Sequence, residues 1–192
     1  TGSFVFSDLL KADWLSYGKV RAGWSKTAND TGPYQLETYL DTRQPFNSPR
    51  FSYPNTQNNP DLIPEQRTIK EIGLEASFFN RRFGFDVTYY DSVTNDLLAP
   101  VQVDPGTGVT AIYRNAGSMQ NRGIEAIVNL TPLKSADFSW DVTWNFAKNN
   151  NKLLSLSGDN KILQIASAPF GLATIQAVVG ETYGQIYGTD YT

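Results

Sequence analysis

Two pairs of carboxylates stand close together in the sequence, Glu71 with Glu75 and Asp86 with Asp91. Paired carboxylates are what general acid and base work would require. Both pairs fall on polar strand faces, where solvated carboxylates are the ordinary outcome, so no catalytic residue and no enzymatic activity are expected. The chain holds no histidine and no cysteine. That removes the commonest general base and metal ligand, the Ser-His-Asp arrangement, the thiolate nucleophile and the disulfide. Asp104-Pro105-Gly106-Thr107-Gly108 and Ser157-Gly158-Asp159-Asn160 offer oxygens to calcium, yet neither has the acidic spacing of a calcium loop. Turn chemistry accounts for both, and no metal or cofactor is expected. Asn29-Asp30-Thr31 and Asn129-Leu130-Thr131 fit the glycosylation pattern, but the second lies in a strand and neither is expected to be used.

Aromatic side chains remain as candidates for binding. Between Asp41 and Pro64 the composition shifts to Pro45, Pro49, Pro54, Pro60 and Pro64 among Asn, Gln and Ser. Prolines at that density forbid a regular ladder. Phe46, Phe51 and Tyr53 are interspersed there, and they are the residues expected to contact a ligand or a partner from an exposed loop. The formal charge of −3, with Lys and Arg dispersed, supplies no basic stripe to neutralise phosphates, which excludes nucleic acid as a partner.

The elements that must position these residues are long two-faced strands. From Phe138 to Phe146, Phe138, Trp140, Val142, Trp144 and Phe146 alternate with Ser139, Asp141, Thr143 and Asn145, so one face is apolar and the other polar. Ile124, Ala126, Val128 and Leu130 share one face of the preceding run, opposite Glu125 and Asn129, with the hinge at Thr131–Asp137. A second hairpin sets Ile72, Leu74, Ala76 and Phe78 against Glu71, Gly73, Glu75 and Ser77, then turns at Asn80–Arg82. Phe83, Phe85, Val87 and Tyr89 alternate there with Gly84, Asp86 and Thr88. Trp14 to Ser25 is another strand, with Val20, Ala22 and Trp24 opposite Lys19, Arg21 and Ser25.

A strand of about 12 residues at about 3.3 Å each, tilted by ~40°, has the height of a bilayer core. No window approaches 18 consecutive apolar residues, so any membrane crossing must use strands. Trp24, Phe78, Phe79, Phe83, Phe138, Trp140, Trp144 and Phe146 are expected in aromatic girdles at the bilayer interfaces. Short turns at Asn80–Arg82 and Thr131–Asp137 enclose one excursion near Pro100–Gly108, the parity of an up-and-down meander. Further expectations are a strand end within Thr1–Leu10, a return strand at Tyr34–Leu40 and one extended strand from Val109 to Leu130 with a bulge at Ala116-Gly117. Asn149–Asn151 reads as the start of a loop, and Ile162–Ala166 and Thr174–Val179 as either strands or compact loop.

Three runs carry a resemblance: IPEQRTIKEIGLEASFFNRRFGFDVTYYDSVTNDLL, NAGSMQNRGIEAIVNLTPLKSADFSWDVTWNFAKNNNKLLSL and VGETYGQIYGTDY. In this order they resemble the C-terminal barrel region of the SusC/RagA family of TonB-dependent outer-membrane transporters of Bacteroidetes, and YGKVRAGWSKTAND resembles another barrel strand of that family. The resemblance implies an all-β antiparallel meander forming part of a large transmembrane barrel. It further implies import of oligosaccharides or peptides, a SusD-like surface lipoprotein as partner and drive from a TonB complex through parts outside these residues. On this reading 1–192 is a partial barrel region in contact with outer-membrane lipid, without plug, signal peptide or TonB box. The alternative is a soluble β-sandwich, a carbohydrate-binding or adhesion module whose apolar faces pack together.

Overall fold

The computed structural model describes residues 1–43, 50–158 and 161–189. In chain order they form β1 (Gly2–Val5), α1 (Ser7–Leu10), β2 (Leu15–Asn29), β3 (Asp41–Arg43), β4 (Arg50–Ser52), β5 (Thr56–Gln57), β6 (Glu65–Phe78) and β7 (Phe83–Asn95). There follow β8 (Leu98–Gln102), β9 (Ala111–Asn115), β10 (Gly117–Lys134), β11 (Ser139–Leu156), β12 (Ile162–Ser167), β13 (Ala173–Val178) and β14 (Gln185–Gly188). The long strands lie in one sheet of order β1-β2-β6-β7-β10-β11, in which each pairs with the next long strand of the chain. That is the expected meander. β12-β13-β14, β5-β9-β8 and β3-β4 make smaller sheets, antiparallel except for the two-residue parallel bridge between β5 and β9.

Two compact units divide the chain, the first of Thr1–Lys26, Thr68–Val93 and Asn121–Asn150, the second of Thr27–Arg67, Thr94–Gln120 and Asn151–Thr192. The short turns belong to the first and the long excursions to the second. In the first unit the apolar face is open. Trp24, Ile72, Trp140 and Trp144 are 63, 55, 53 and 59 % exposed, so no second sheet covers them as the sandwich alternative requires. Trp14 and Phe78 stack at 5.8 Å, and Phe78 also meets Phe83 and Phe85 at 5.7 and 6.0 Å, all at the turn end of β6 and β7. This cluster occupies the place of an aromatic girdle.

In the second unit the buried apolar residues are Val109, Ala116, Leu153 and Ala177. The segment after β13 docks on the end of β11, with Leu153 N–H donating to Glu181 O (3.0 Å) and Gly180 N–H to Leu153 O (2.8 Å).

Several local expectations are corrected. Asn149–Asn151 does not open a loop: β11 runs through to Leu156, because the asparagine side chains find partners outside the ladder. Asn149 Oδ1 accepts from the Tyr90 hydroxyl (3.2 Å) and Asn151 Oδ1 from Tyr183 N–H (3.1 Å). Tyr34–Leu40 forms no strand; Tyr34 takes φ 63°, which no ladder accommodates. Val109–Leu130 is not one strand, since Ala116 separates β9 from β10 and its N–H turns to Leu97 O (2.6 Å).

The hinge at 131–137 is tighter than expected, β10 continuing to Lys134 and β11 starting at Ser139. β1 ends at Val5 and a helical turn replaces the rest of the first run. Despite the prolines, β3 pairs with β4 and β5 with β9, in ladders short enough to fit between them.

Candidate functional site

The polar face of the first unit is knit by side chains that reach across strands. Arg21 on β2 grips Asp86 on β7 with two hydrogen bonds of 2.9 and 2.7 Å, and its Nη2 also donates to Thr88 Oγ1. Strand β6 lies between them. The guanidinium passes over Gly73, where a Cβ would stand 2.5 Å from Arg21 Nε. The glycine therefore makes the bridge geometrically possible. Gly23 on β2 plays the reciprocal part for Glu71, whose Oε1 would lie 2.6 Å from a Cβ there. Lys19 meets Glu75 at 2.6 Å. On the next strands Thr143 donates to Asn129 (2.9 Å), while Thr131 (2.6 Å) and Ser139 (2.9 Å) donate to Asp141.

These bonds settle which way the strands face. Residues that share the polar face by alternation touch one another, and the aromatic residues stack on the other side. An open cavity of about 370 Å³ lies on the polar face, lined among others by Arg21, Asp86, Thr88, Glu125 and Asn145. Its carboxylate Asp86 is engaged by an arginine, and Glu75 of the other acidic pair by Lys19, so neither is held as a free acid or base. Among the described residues no group of three or more His, Cys, Asp and Glu is placed to hold a metal ion. Asp104 caps the turn after it through Gly106 N–H (2.7 Å), which is turn chemistry.

About a third of the Arg21 and Asp86 side chains is exposed, which limits the pair to about 1 kcal/mol. Gly73→Ala is expected to displace Arg21 and lose about that amount, and to cost nothing further in an Arg21→Ala background. A double-mutant cycle on denaturant midpoints checks this. Equal cost in both backgrounds would show that Gly73 serves something other than the bridge.

Of the loop aromatics singled out in the sequence, Phe46 lies outside the described residues. Phe51 ends up in β4 and Tyr53 just beyond it, 67 and 69 % exposed. Tyr34 and Tyr39 escaped notice because their stretch reads as turn followed by strand. They stand edge to face at 6.3 Å, on a loop that Asn58 clamps by donating from Nδ2 to Tyr34 O (2.9 Å) and Glu37 O (2.7 Å). The Tyr39 hydroxyl donates to Glu37 (2.8 Å), and the carboxylate beside it raises the phenol above its ordinary pKa.

With that geometry in hand, likeness to known proteins can be stated. Residues 5–191 match the family model described as TonB dependent receptor-like, beta-barrel. The chain is 30 % identical over 177 residues to TonB-dependent receptor P26 of Formosa agariphila, covering 90 % of this chain and 18 % of that protein. It is 32 % identical over 154 residues to TonB-dependent receptor SusC of Bacteroides thetaiotaomicron, covering 75 % of this chain and 15 % of that one. It thus spans less than a fifth of these curated relatives. Among solved structures, the RagAB peptide transporter superposes with a TM-score of 0.80 at 24 % identity, over 94 % of this chain and 20 % of the other. The last likeness is one of fold.

Proposed function

This chain belongs to the TonB-dependent receptor β-barrel family, and from that premise we propose that it forms part of the barrel wall of an outer-membrane importer for oligosaccharides or peptides. Its location is the outer membrane. The observation that carries the proposal is the two-faced sheet: an open apolar face for lipid, and opposite it a polar face closed by cross-strand ion pairs for an aqueous lumen. The likeness to a receptor named SusC supports an oligosaccharide as cargo, and the likeness to a structure titled a peptide transporter supports a peptide.

A SusD-like surface lipoprotein is the proposed partner, and a TonB complex acting through other parts of the molecule is the proposed source of energy. In this role 1–192 is barrel region. The long excursions, with Phe46, Phe51 and Tyr53 and the clamped pair Tyr34 and Tyr39, meet the cargo or the lipoprotein outside the cell.

The test is uptake by cells carrying or lacking the full-length gene. Labelled oligosaccharides and peptides of the growth medium should enter only when the gene and an energised inner membrane are both present, and a lipoprotein should co-purify with the barrel. Uptake of every probe at the same rate without the gene would sink the importer reading.

A further inference from the structure

On the lipid-facing side of the first unit the apolar band has a sharp end. Following that face along each strand away from the short turns, Val20, Ala22 and Trp24 lead to Lys26. Phe78, Ala76, Leu74 and Ile72 lead to Lys70, Leu130, Val128, Ala126 and Ile124 to Arg122, and Val142, Trp144 and Phe146 to Lys148. On β7 the same step leads from Tyr89 to Asp91.

The face of each cation is fixed by its neighbour in sequence. Glu71, next to Lys70, lies over Gly23 on the polar side, and Gly23 is three residues from Lys26. Gly123, next to Arg122, lies under the Tyr90 hydroxyl, and Asn149, next to Lys148, bonds that same hydroxyl. The four cations therefore share the side of Trp24 and Trp144. They stand on strands β2, β6, β10 and β11, interrupted only by Asp91 on β7.

All four are exposed, and their side chains enter no ion pair among the described residues, in contrast to Lys19 and Arg21 on the opposite face. A carboxylate on the neighbouring strand would have been a cheap partner for each. Instead cation follows apolar band on four of five strands. Long basic side chains at the end of an apolar band reach the headgroup layer, where each gains from an anionic surface by roughly a factor of five in affinity.

We infer that Lys26, Lys70, Arg122 and Lys148 form a belt that binds the phosphates of anionic lipid around the barrel, on the side of the long excursions. The belt rests on the membrane location and is independent of what the barrel carries. Bound lipid would neutralise charges that are otherwise unpaired and fix the height at which the barrel sits.

The experiment uses the full-length protein in nanodiscs of phosphatidylcholine containing phosphatidylglycerol, with lipid retained on the released protein counted by native mass spectrometry. Replacing all four residues by Gln should weaken phosphatidylglycerol retention at least about tenfold. Phosphatidylcholine retention should stay as it was, and raised salt should reduce retention on the wild type alone. Exchanging each Lys for Arg and Arg122 for Lys should keep it. Heat-modifiable migration in electrophoresis establishes that each variant is folded. Where the fourfold change prevents folding, Arg122→Gln with Lys148→Gln is read in its place, with a smaller loss in the same direction. Unchanged phosphatidylglycerol retention in a folded variant, or equal loss of both lipids, overturns the belt.

Discussion

Val142→Arg in the full-length protein is expected to cost about 2–4 kcal/mol in a bilayer, while Thr143→Arg, one residue on, should cost less than about 1 kcal/mol. The apolar face of β11 runs from Phe138 to Phe146 and is closed by Lys148, so Val142 stands at the middle of a band about as long as a tilted transmembrane strand needs. A guanidinium there has no reach to either interface. Thr143 faces the other way, where its hydroxyl bonds Asn129 and an arginine would join a surface already carrying Lys19 and Arg21. Reversible unfolding of the barrel into denaturant from lipid vesicles measures both. Equal cost at the two positions would refute the assignment of faces, and with it the lipid-facing reading of Trp140 and Trp144.

How far this was readable in the sequence depends on the range of the interaction. Alternation needs only neighbours, and so the strands, their two faces and the tight turn at Asn80–Arg82 could be read directly. The hinge before β11 was placed within a few residues. Asn149–Asn151 misled because asparagine's turn preference is a statement about an unpartnered side chain, whereas Tyr90 and Tyr183 supply partners from far away in the chain. The grip of Arg21 on Asp86 was not legible for the same reason. It joins residues 65 apart and depends on the register of two strand pairings and on a glycine in the strand between. Within the excursions, β3, β4 and β5 are too short to show a period. Tyr34 is in a conformation that local preference argues against, held by Asn58 from 24 residues away.

Gly117→Ala is the substitution expected to damage the second unit most, by about 3 kcal/mol. At Gly117 the chain leaves the small sheet of β8 and β9 and enters the long one, and it does so at φ 155°, outside the range that side chains favour. A Cβ there would lie 2.0 Å from Ser155 O and 2.9 Å from Leu156 Cα. Both are backbone atoms, so no rotamer change can relieve the contact. The strand would have to move, and three bonds anchor it: Leu97 N–H to Gly117 O (2.9 Å), Ala116 N–H to Leu97 O (2.6 Å) and Ser157 N–H to Ala116 O (2.7 Å). Separating β10 from β11 at this point also parts Ser118 from Ser155, whose hydroxyls are 2.7 Å apart. Gly84 provides the contrast. Its φ is not positive and an added Cβ meets nothing nearer than 3.5 Å, so Gly84→Ala should change stability by less than about 0.5 kcal/mol and gain slightly from a stiffer unfolded chain. Denaturant midpoints of the two full-length variants decide the matter: if Gly117→Ala proves as harmless as Gly84→Ala, the close approach of β10 and β11 at Ser155 is not a fixed feature of the fold.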